Sequence, residues 1–403
     1  MTAGGNSILS SYGTSIFEVM SRLAQEVGAI NLGQGFPDGN GPPDVVAVAA
    51  DYLKTGLNQY PSMLGIPELR QAVAAHNKRF YGLDVDWRTE VMVASGGTEC
   101  LASALFGLIE PGDEVVLVEP LYDSYLPIVR RAGGIPKLVR IEPPKWQLPR
   151  DQLAAAFSDK TKLILYNTPM NPCAKVFTAD EIAFIAALLR KHDALAVCDE
   201  VYEHIKFDGR AHVPLMTLPG MRDRVARIGS AGKTFSLTGW KVGYITAAPR
   251  VLTPIAKAHQ FITFTTPPNL QKAVAYGLGK EDAYFDGLAA EMQRKRDRLA
   301  AGLASVGLEV LPCHGTYFIT TDFRPLGFNG DDVAFCKHLT TEARVAAVPV
   351  SAFYEGGGVK HFARFAFCKD DTVIDEAIAR LQKHFKGRAA PRPSTLRQAQ
   401  DSG

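Results

Sequence analysis

The sequence holds no CxxC pair; its six cysteines stand singly at Cys100, Cys173, Cys198, Cys313, Cys336 and Cys368. No histidine sits at zinc-ligand spacing beside them, which speaks against a disulfide framework or structural zinc and predicts reduced, buried thiols. An excess of one charge is missing as well: 44 Lys and Arg meet 42 Asp and Glu, interspersed rather than clustered. Such a balance disfavours nucleic acid or a membrane surface as partner. No apolar run approaches the ~18 residues of a membrane span. Residues 1–10 lack a basic patch followed by an apolar stretch, so the expected location is the cytoplasm. A GxGxxG fingerprint is also absent, because Gly33 and Gly35 are followed by Pro37 and Asp38 where a third glycine would stand, and a nicotinamide dehydrogenase is disfavoured.

What is present is an ordinary globular composition, 46% apolar and 21% charged over 403 residues, enough for two or more domains. Residues 15–27 form the first clear amphipathic pattern, with Ile16, Met20, Leu23 and Val27 on one face and Gly28 to stop it. The stretch 31–43, NLGQGFPDGNGPP, is too rich in glycine and proline for an element interior. Short apolar runs then alternate with helical patterns. Residues 90–94, 114–119, 162–167, 194–199, 225–230 and 242–247 read as buried strands, and 98–109 and 178–191 as helices between them. That alternation predicts an α/β fold with a largely parallel sheet, covered on both faces. Near Gly279 a charged helix begins that runs through Arg298; strands at 315–320 and 362–367 and a helix ending at Phe385 follow. They suggest a smaller α+β domain, and the polar residues 387–403 read as a disordered tail.

Four features of this pattern call for chemistry. Asp199 follows the apolar strand ALAVC at the carboxyl end, where open α/β sheets bind ligands; a helix N-cap is the bland alternative. The segment SAGKTFSLTGWKVG (230–243) surrounds Lys233 with small residues and hydroxyls and adds Lys241, which are donors suited to a phosphate unless the two lysines are simply solvated. SGGT (95–98) turns from a strand into a helix and can offer free N–H groups to an anion. Arg364 stands inside the apolar strand FARFAF and needs an anion, either an internal Asp or Glu or a substrate carboxylate. A lysine amine, a strand-end aspartate, phosphate donors on two loops and a carboxylate-binding arginine together describe a pyridoxal-phosphate site.

At these residues the chain resembles the class-I aminotransferases of fold type I, and within them the kynurenine/glutamine and methionine aminotransferase branch. The likeness spans about residues 13–385 and rests on NLGQGFPDG (31–39), NQYPSMLGIPELR (58–70), YDSY (122–125), NTPMNP (167–172), DEVYEHI (199–205) and SAGKTFSLTGWKVG, in that order. It implies pyridoxal 5'-phosphate as cofactor, with Lys233 as the Schiff-base lysine and Asp199 as partner of the pyridine nitrogen. Tyr202 and Asn171 would hold the phenolic oxygen and Tyr122 would stack on the ring. Gly97, Thr98, Ser230 and Lys241 would bind the phosphate, with Tyr60 reaching in from a second subunit of a homodimer. The substrate carboxylate would meet Arg364 and Asn171 under the Gly35 backbone. Lys241 stands where aspartate aminotransferases have an arginine, and Gly232 where a serine is frequent.

The implied organisation is an N-terminal arm and part of the small domain over 1–42, a large cofactor-binding domain over 43–280, and a small domain over 281–386. The implied reaction is ping-pong transfer of an amino group from an amino acid to a 2-oxo acid. Around the substrate side chain the resemblance places residues 12–17 and 260–268, which carry Tyr12, Ile16, Phe17, Phe261 and Phe264 and no Lys or Arg. Apolar, sulfur-containing or aromatic donors are therefore expected rather than acidic ones. Carbon–sulfur β-elimination at the same site is the alternative, and a non-enzymatic regulator on the same fold a remote one.

Overall fold

The structure, a computed structural model, describes residues 5–386. The polar segment 387–403 lies outside the described residues. After a short helical turn, Ser7–Ser10, comes the helix Ile16–Val27, capped by the Ser15 hydroxyl on the Glu18 N–H and ended by Gly28 at φ 64°. A short strand β1 (Ile30–Asn31) follows. The next two helices, Pro43–Thr55 and Pro67–Tyr81, each carry proline in the first turn, where its missing N–H has no helical partner to lose.

A seven-stranded sheet forms the centre. Its strands are β2 (Val91–Ala94), β3 (Glu114–Glu119), β4 (Ile135–Arg140), β5 (Thr161–Asn167), β6 (Leu195–Asp199), β7 (Val225–Ser230) and β8 (Gly243–Ala247). They lie in the order β2-β8-β7-β6-β5-β3-β4. Only β8 runs against its neighbours; the other six are parallel. Successive residues feed opposite cores: Leu163 and Leu165 pack into one apolar cluster, Ile164 and Tyr166 into the other. Burial on both faces explains why these strands show no polar alternation in sequence. The sequence pattern missed β4, IPKLVR, because a proline and two cations interrupt it; at the sheet edge both are tolerated.

The C-terminal part holds the long helix Asp282–Ser305, then β9 (Glu309–Val310), β10 (Phe318–Asp322), β11 (Val345–Ala346), β12 (Val348–Pro349) and β13 (Phe362–Ala366), and closes with the helix Asp371–Phe385. Four of these strands make an antiparallel sheet, β12-β13-β10-β9, with Thr320 opposite Arg364. β11 instead pairs in parallel with β1, Ile30 against Val345, so the N-terminal segment is stitched to the C-terminal one. All six cysteines are free and buried.

Parallel strands bring their carboxyl ends to one edge. There Ala94, Asn167, Asp199 and Ser230 end their strands and Gly243 begins β8, while Arg364 and Phe318 arrive from the smaller sheet.

Candidate active site

A cavity of about 410 Å³ occupies that edge, between the two sheets. Lys233, Asp199, Tyr202, Tyr122, Asn171, Gly97, Thr98, Ser230, Lys241, Gly35 and Arg364 all line it, as the sequence motifs require. Tyr60 does not. It is 83% exposed and packs edge-on against Phe264 at 5.7 Å, on the outer surface.

One end of the cavity is built for an anion. The helix Gly96–Leu108 starts there, and its N-cap Ser95 makes no side-chain capping bond, so the first N–H groups are not consumed by a cap. Gly96 adopts φ 81°, and a Cβ on it would lie 3.3 Å from Lys241 Cε. A side chain at Gly243 would meet the Gly96 carbonyl carbon at 2.6 Å. Glycine at both positions lets the turn, the start of β8 and the lysine close around one space, with Ser230 at its rim.

The opposite wall holds the acid. Asp199 is buried, and burial pushes its carboxyl above the usual range; the Tyr125 hydroxyl, donating to Oδ2 at 2.6 Å, and the Val201 N–H act in the other direction. Its bland role as a helix N-cap is not what the structure has, because β6 leads into a turn rather than a helix at this point.

Lys233 sits on a single helical turn, Ala231–Thr234, entered directly from β7; the sequence pattern treated this segment as a loop. Burial lowers its amine to about 8, with the positive charges of Arg364 and Lys241 adding to the effect while Cys368 and Asp199 oppose it. Nζ donates to the Tyr317 hydroxyl at 2.8 Å.

Arg364 is 1% exposed and has no carboxylate partner among the described residues. Nη1 donates to Asn171 Oδ1 at 2.8 Å and Nη2 to the Gly33 carbonyl at 2.6 Å, while Nε makes no hydrogen bond. The Phe318 ring covers the guanidinium at 3.9 Å, and Phe17 and Phe353 lie 5.1 and 5.0 Å away. Such desolvation draws Arg364 down to about 10. A buried guanidinium with neutral partners and a donor unused is a receptor for an incoming carboxylate.

Three residues at the site escaped sequence inspection. Tyr125 and Asp123 belong to YDSY, which had signalled only Tyr122, and both line the cavity. Burial raises the Asp123 carboxyl. Tyr317 had been assigned to a strand and instead reaches Lys233. Of the five side-chain candidates, Phe17 faces the cavity; Tyr12 accepts from Arg130 Nη1 at 2.8 Å, Ile16 packs on the core, Phe264 lies outside against Tyr60, and Phe261 is exposed away from the cavity lining.

The donor set fits pyridoxal phosphate: an anion cradle at one end, an acid and an amine at the middle, and a carboxylate receptor beyond. The model of the family "aminotransferase class I and II" matches residues 27–381. A probable N-succinyldiaminopimelate aminotransferase of Mycobacterium tuberculosis is 41% identical over 398 residues, covering 96% of this chain and 99% of that protein. A kynurenine–oxoglutarate transaminase of Dictyostelium discoideum is 39% identical, covering 93% and 95%. A solved Escherichia coli structure described as having a methionine aminotransferase function superposes with a TM-score of 0.91 at 38% identity, covering 94% of this chain and 99% of that one. The chain belongs to the class I and II aminotransferases, in the branch that holds the methionine and kynurenine enzymes.

Proposed function

We propose that this aminotransferase binds pyridoxal 5'-phosphate and takes the amino group of an apolar, sulfur-containing or aromatic L-amino acid for transfer to a 2-oxo acid. The carrying observation is how the cations lining the cavity are placed. Lys241 stands at the anion cradle, Lys233 supplies the amine, and Arg364 waits for the α-carboxylate every amino acid has. None remains for a second carboxylate, and the Asp123 carboxyl adds an acid instead. An N-succinylated diamino diacid, the substrate class in the Mycobacterium relative's name, carries further carboxylates that this wall does not pair. Phe17, Phe36 and Phe318 line the cavity near Arg364, and burying an apolar side chain there is worth ~1.5–3 kcal/mol.

When bound, the cofactor supplies an electrophilic carbon for amines and a ring that withdraws electrons from the substrate α-carbon. Gly97, Thr98, Ser230 and Lys241 would hold its phosphate, Asp199 would partner its ring nitrogen, Tyr122 would stack on the ring, and Asn171 and Tyr202 would hold its phenolic oxygen. A carboxylate at that nitrogen would favour the protonated ring, and the Tyr125 hydroxyl opposes the rise that burial imposes on the Asp199 carboxyl. Arg364 fixes the substrate carboxylate. Lys233, as a neutral amine above about pH 8, would accept the α-proton on Nζ and serve as the group that relays it.

The working unit is a homodimer in which Tyr60 serves the neighbouring cavity. Support comes from an exposed apolar patch around it, with Leu57 77% and Phe261 83% exposed. No helix of the described residues is long and apolar enough to cross a membrane. The free buried thiols support a reducing compartment, the cytoplasm.

Borohydride reduction of the protein loaded with pyridoxal phosphate, followed by peptide mapping, should label Lys233; another lysine would overturn the assignment. A donor panel should give higher kcat/KM for methionine, phenylalanine and kynurenine than for aspartate and glutamate. The reverse order would overturn the substrate class, and pyruvate and ammonia released without an acceptor would point to β-elimination.

A further inference from the structure

The Tyr317 hydroxyl lies 2.8 Å from Lys233 Nζ and 2.7 Å from the carbonyl oxygen of Gly35. A carbonyl oxygen can only accept, so the phenolic proton is committed to Gly35 and the phenolic oxygen is left to accept from the amine. Lys233 therefore donates an N–H here, and in its neutral form it keeps the lone pair out of this bond. We propose that Tyr317 is a positioning residue: it holds the free Lys233 amine with its lone pair available for the substrate α-proton, and couples that amine to the segment that receives the substrate carboxylate. The proposal rests on the transamination role of Lys233 given above.

Three independent contacts fix the ring for this task. Tyr317 is 1% exposed and meets Tyr202 edge-on at 5.2 Å. Its carbonyl accepts from the Phe367 N–H at 3.0 Å, just beyond the strand that carries Arg364, and the preceding Thr316 N–H donates to Ile205 in the segment after Asp199 at 2.9 Å. The backbone at 316–317 is thus tied to the segments that follow β6 and β13. Gly35 has to be glycine for the hydroxyl to reach its carbonyl: a Cβ would run into the Phe318 ring and come to 3.0 Å from Tyr317 Cε2. Phe318, the next residue, covers the Arg364 guanidinium. One dipeptide therefore touches both the amine that moves the proton and the arginine that orients the carboxylate. When Nζ takes up the α-proton it becomes an ammonium, a stronger donor, and the phenolic oxygen accepts from it without any rearrangement.

The test uses Tyr317→Phe, which keeps the ring. In ligand-free protein, competitive acetylation with acetic anhydride across pH 6–10, read by mass spectrometry, should give Lys233 a midpoint near 8 in the parent chain. Loss of an acceptor that favours the ammonium should move the variant's midpoint to lower pH, with other lysines unmoved. Loaded enzyme should lose about tenfold to a hundredfold in the single-turnover rate of the donor half-reaction with KM little changed. In a Lys233→Ala background rescued by methylamine, the same change should have no further effect. An unmoved acetylation midpoint, or a full additional loss in the rescued background, would reduce Tyr317 to a packing residue. Thermal melting of the ligand-free variant separates a folding defect, and Gly35→Ala, whose Cβ would displace the Phe318 ring and crowd that of Tyr317, should reproduce the shifted midpoint. If the parent chain failed to transaminate, the reaction assigned to Lys233 would fall while the acetylation result still judged the hydrogen bond.

Discussion

Two polar clusters hang from the same seven residues, DEVYEHI at 199–205, and they are built on opposite rules. Asp199 and Tyr202 face the cavity, where the partners of Arg364 are neutral and the anion cradle has no side-chain cap. Glu200, Glu203 and His204 turn the other way, against the helix Pro67–Tyr81 and β7. There Arg227 donates to Glu200 Oε2 at 2.6 Å, to Asn77 Oδ1 at 2.8 Å and to Glu203, and Tyr81 donates to Glu203 Oε2 at 2.6 Å. His212 meets Glu200 Oε2 at 2.8 Å, and His76 and His204 share one hydrogen bond at 2.8 Å. The His76, Glu203 and His204 donor atoms lie within 4.8 Å of one another, yet the guanidinium already neutralises that carboxylate. The difference teaches which buried charge does chemistry: one cluster pairs its charges internally and pins a helix to the sheet, although Glu200 Oε1, Glu203 Oε1, His76 Nδ1 and His212 Nδ1 find no hydrogen-bond partner among the described residues, and the other leaves its buried cation with neutral partners alone.

The sharpest way to separate the clusters is to empty each of its central cation. Lys233→Ala should abolish covalent cofactor attachment and cut turnover by at least about a thousandfold. The melting temperature of the ligand-free protein should barely move. Arg227→Met should do the opposite: it strands two buried carboxylates and should destabilise the fold by ~3–5 kcal/mol, read by urea unfolding, while the folded fraction keeps its kcat within a few-fold. If Arg227→Met lost activity without stability, the division between the clusters would be wrong.

A smaller effect is expected at Tyr125, whose hydroxyl donates to Asp199 and opposes the upward push of burial on that carboxyl. Hydrogen bonds to charged groups are worth ~1.5–3 kcal/mol, so Tyr125→Phe should lower kcat by about ten- to a hundredfold. The loss should exceed any change in substrate KM, as steady-state kinetics would report.

Sequence inspection found the open cluster more readily than the closed one. Lys233, Asp199 and Arg364 betray themselves because a cation or acid ends or interrupts an apolar strand, where folding alone gives no reason for it. The close approach at Gly96 and Gly243 shows only in the structure, since the sequence marks the first as a strand-to-helix turn and the second merely as the end of a motif. Tyr317 and Tyr125 were hidden because a tyrosine beside apolar residues looks like core, and the contact that gives Tyr317 its role spans 84 residues of sequence. Arg227 and Glu203 were illegible because their pairing depends on which face of a turn each occupies, and no spacing rule encodes that. In the fold, β4 was lost to its proline and charges, and the helices at 43–55 and 67–81 to the loop-like glycine and proline signals that precede them.

The last expected effect lies in the closed cluster and concerns acid. Burial lowers His76 to about 4 and His204 to about 3; Glu203 works against this in both, and Arg227 adds to it. Both histidines are therefore neutral in the folded protein at pH 5–6, whereas in the unfolded chain they protonate near 6.5. The unfolded state then binds more protons throughout this window, and stability must rise with pH across it. Conversely, stability is full above about 6.5 and drains as pH falls toward 4, at up to roughly 1.4 kcal/mol per pH unit for each proton gained on unfolding. Urea midpoints measured from pH 7.5 to 5 should fall accordingly, and His76→Phe together with His204→Phe should flatten the slope even if it changes the absolute stability. A slope unchanged by removing both rings would assign the acid sensitivity to other groups and leave the histidine pair as plain packing.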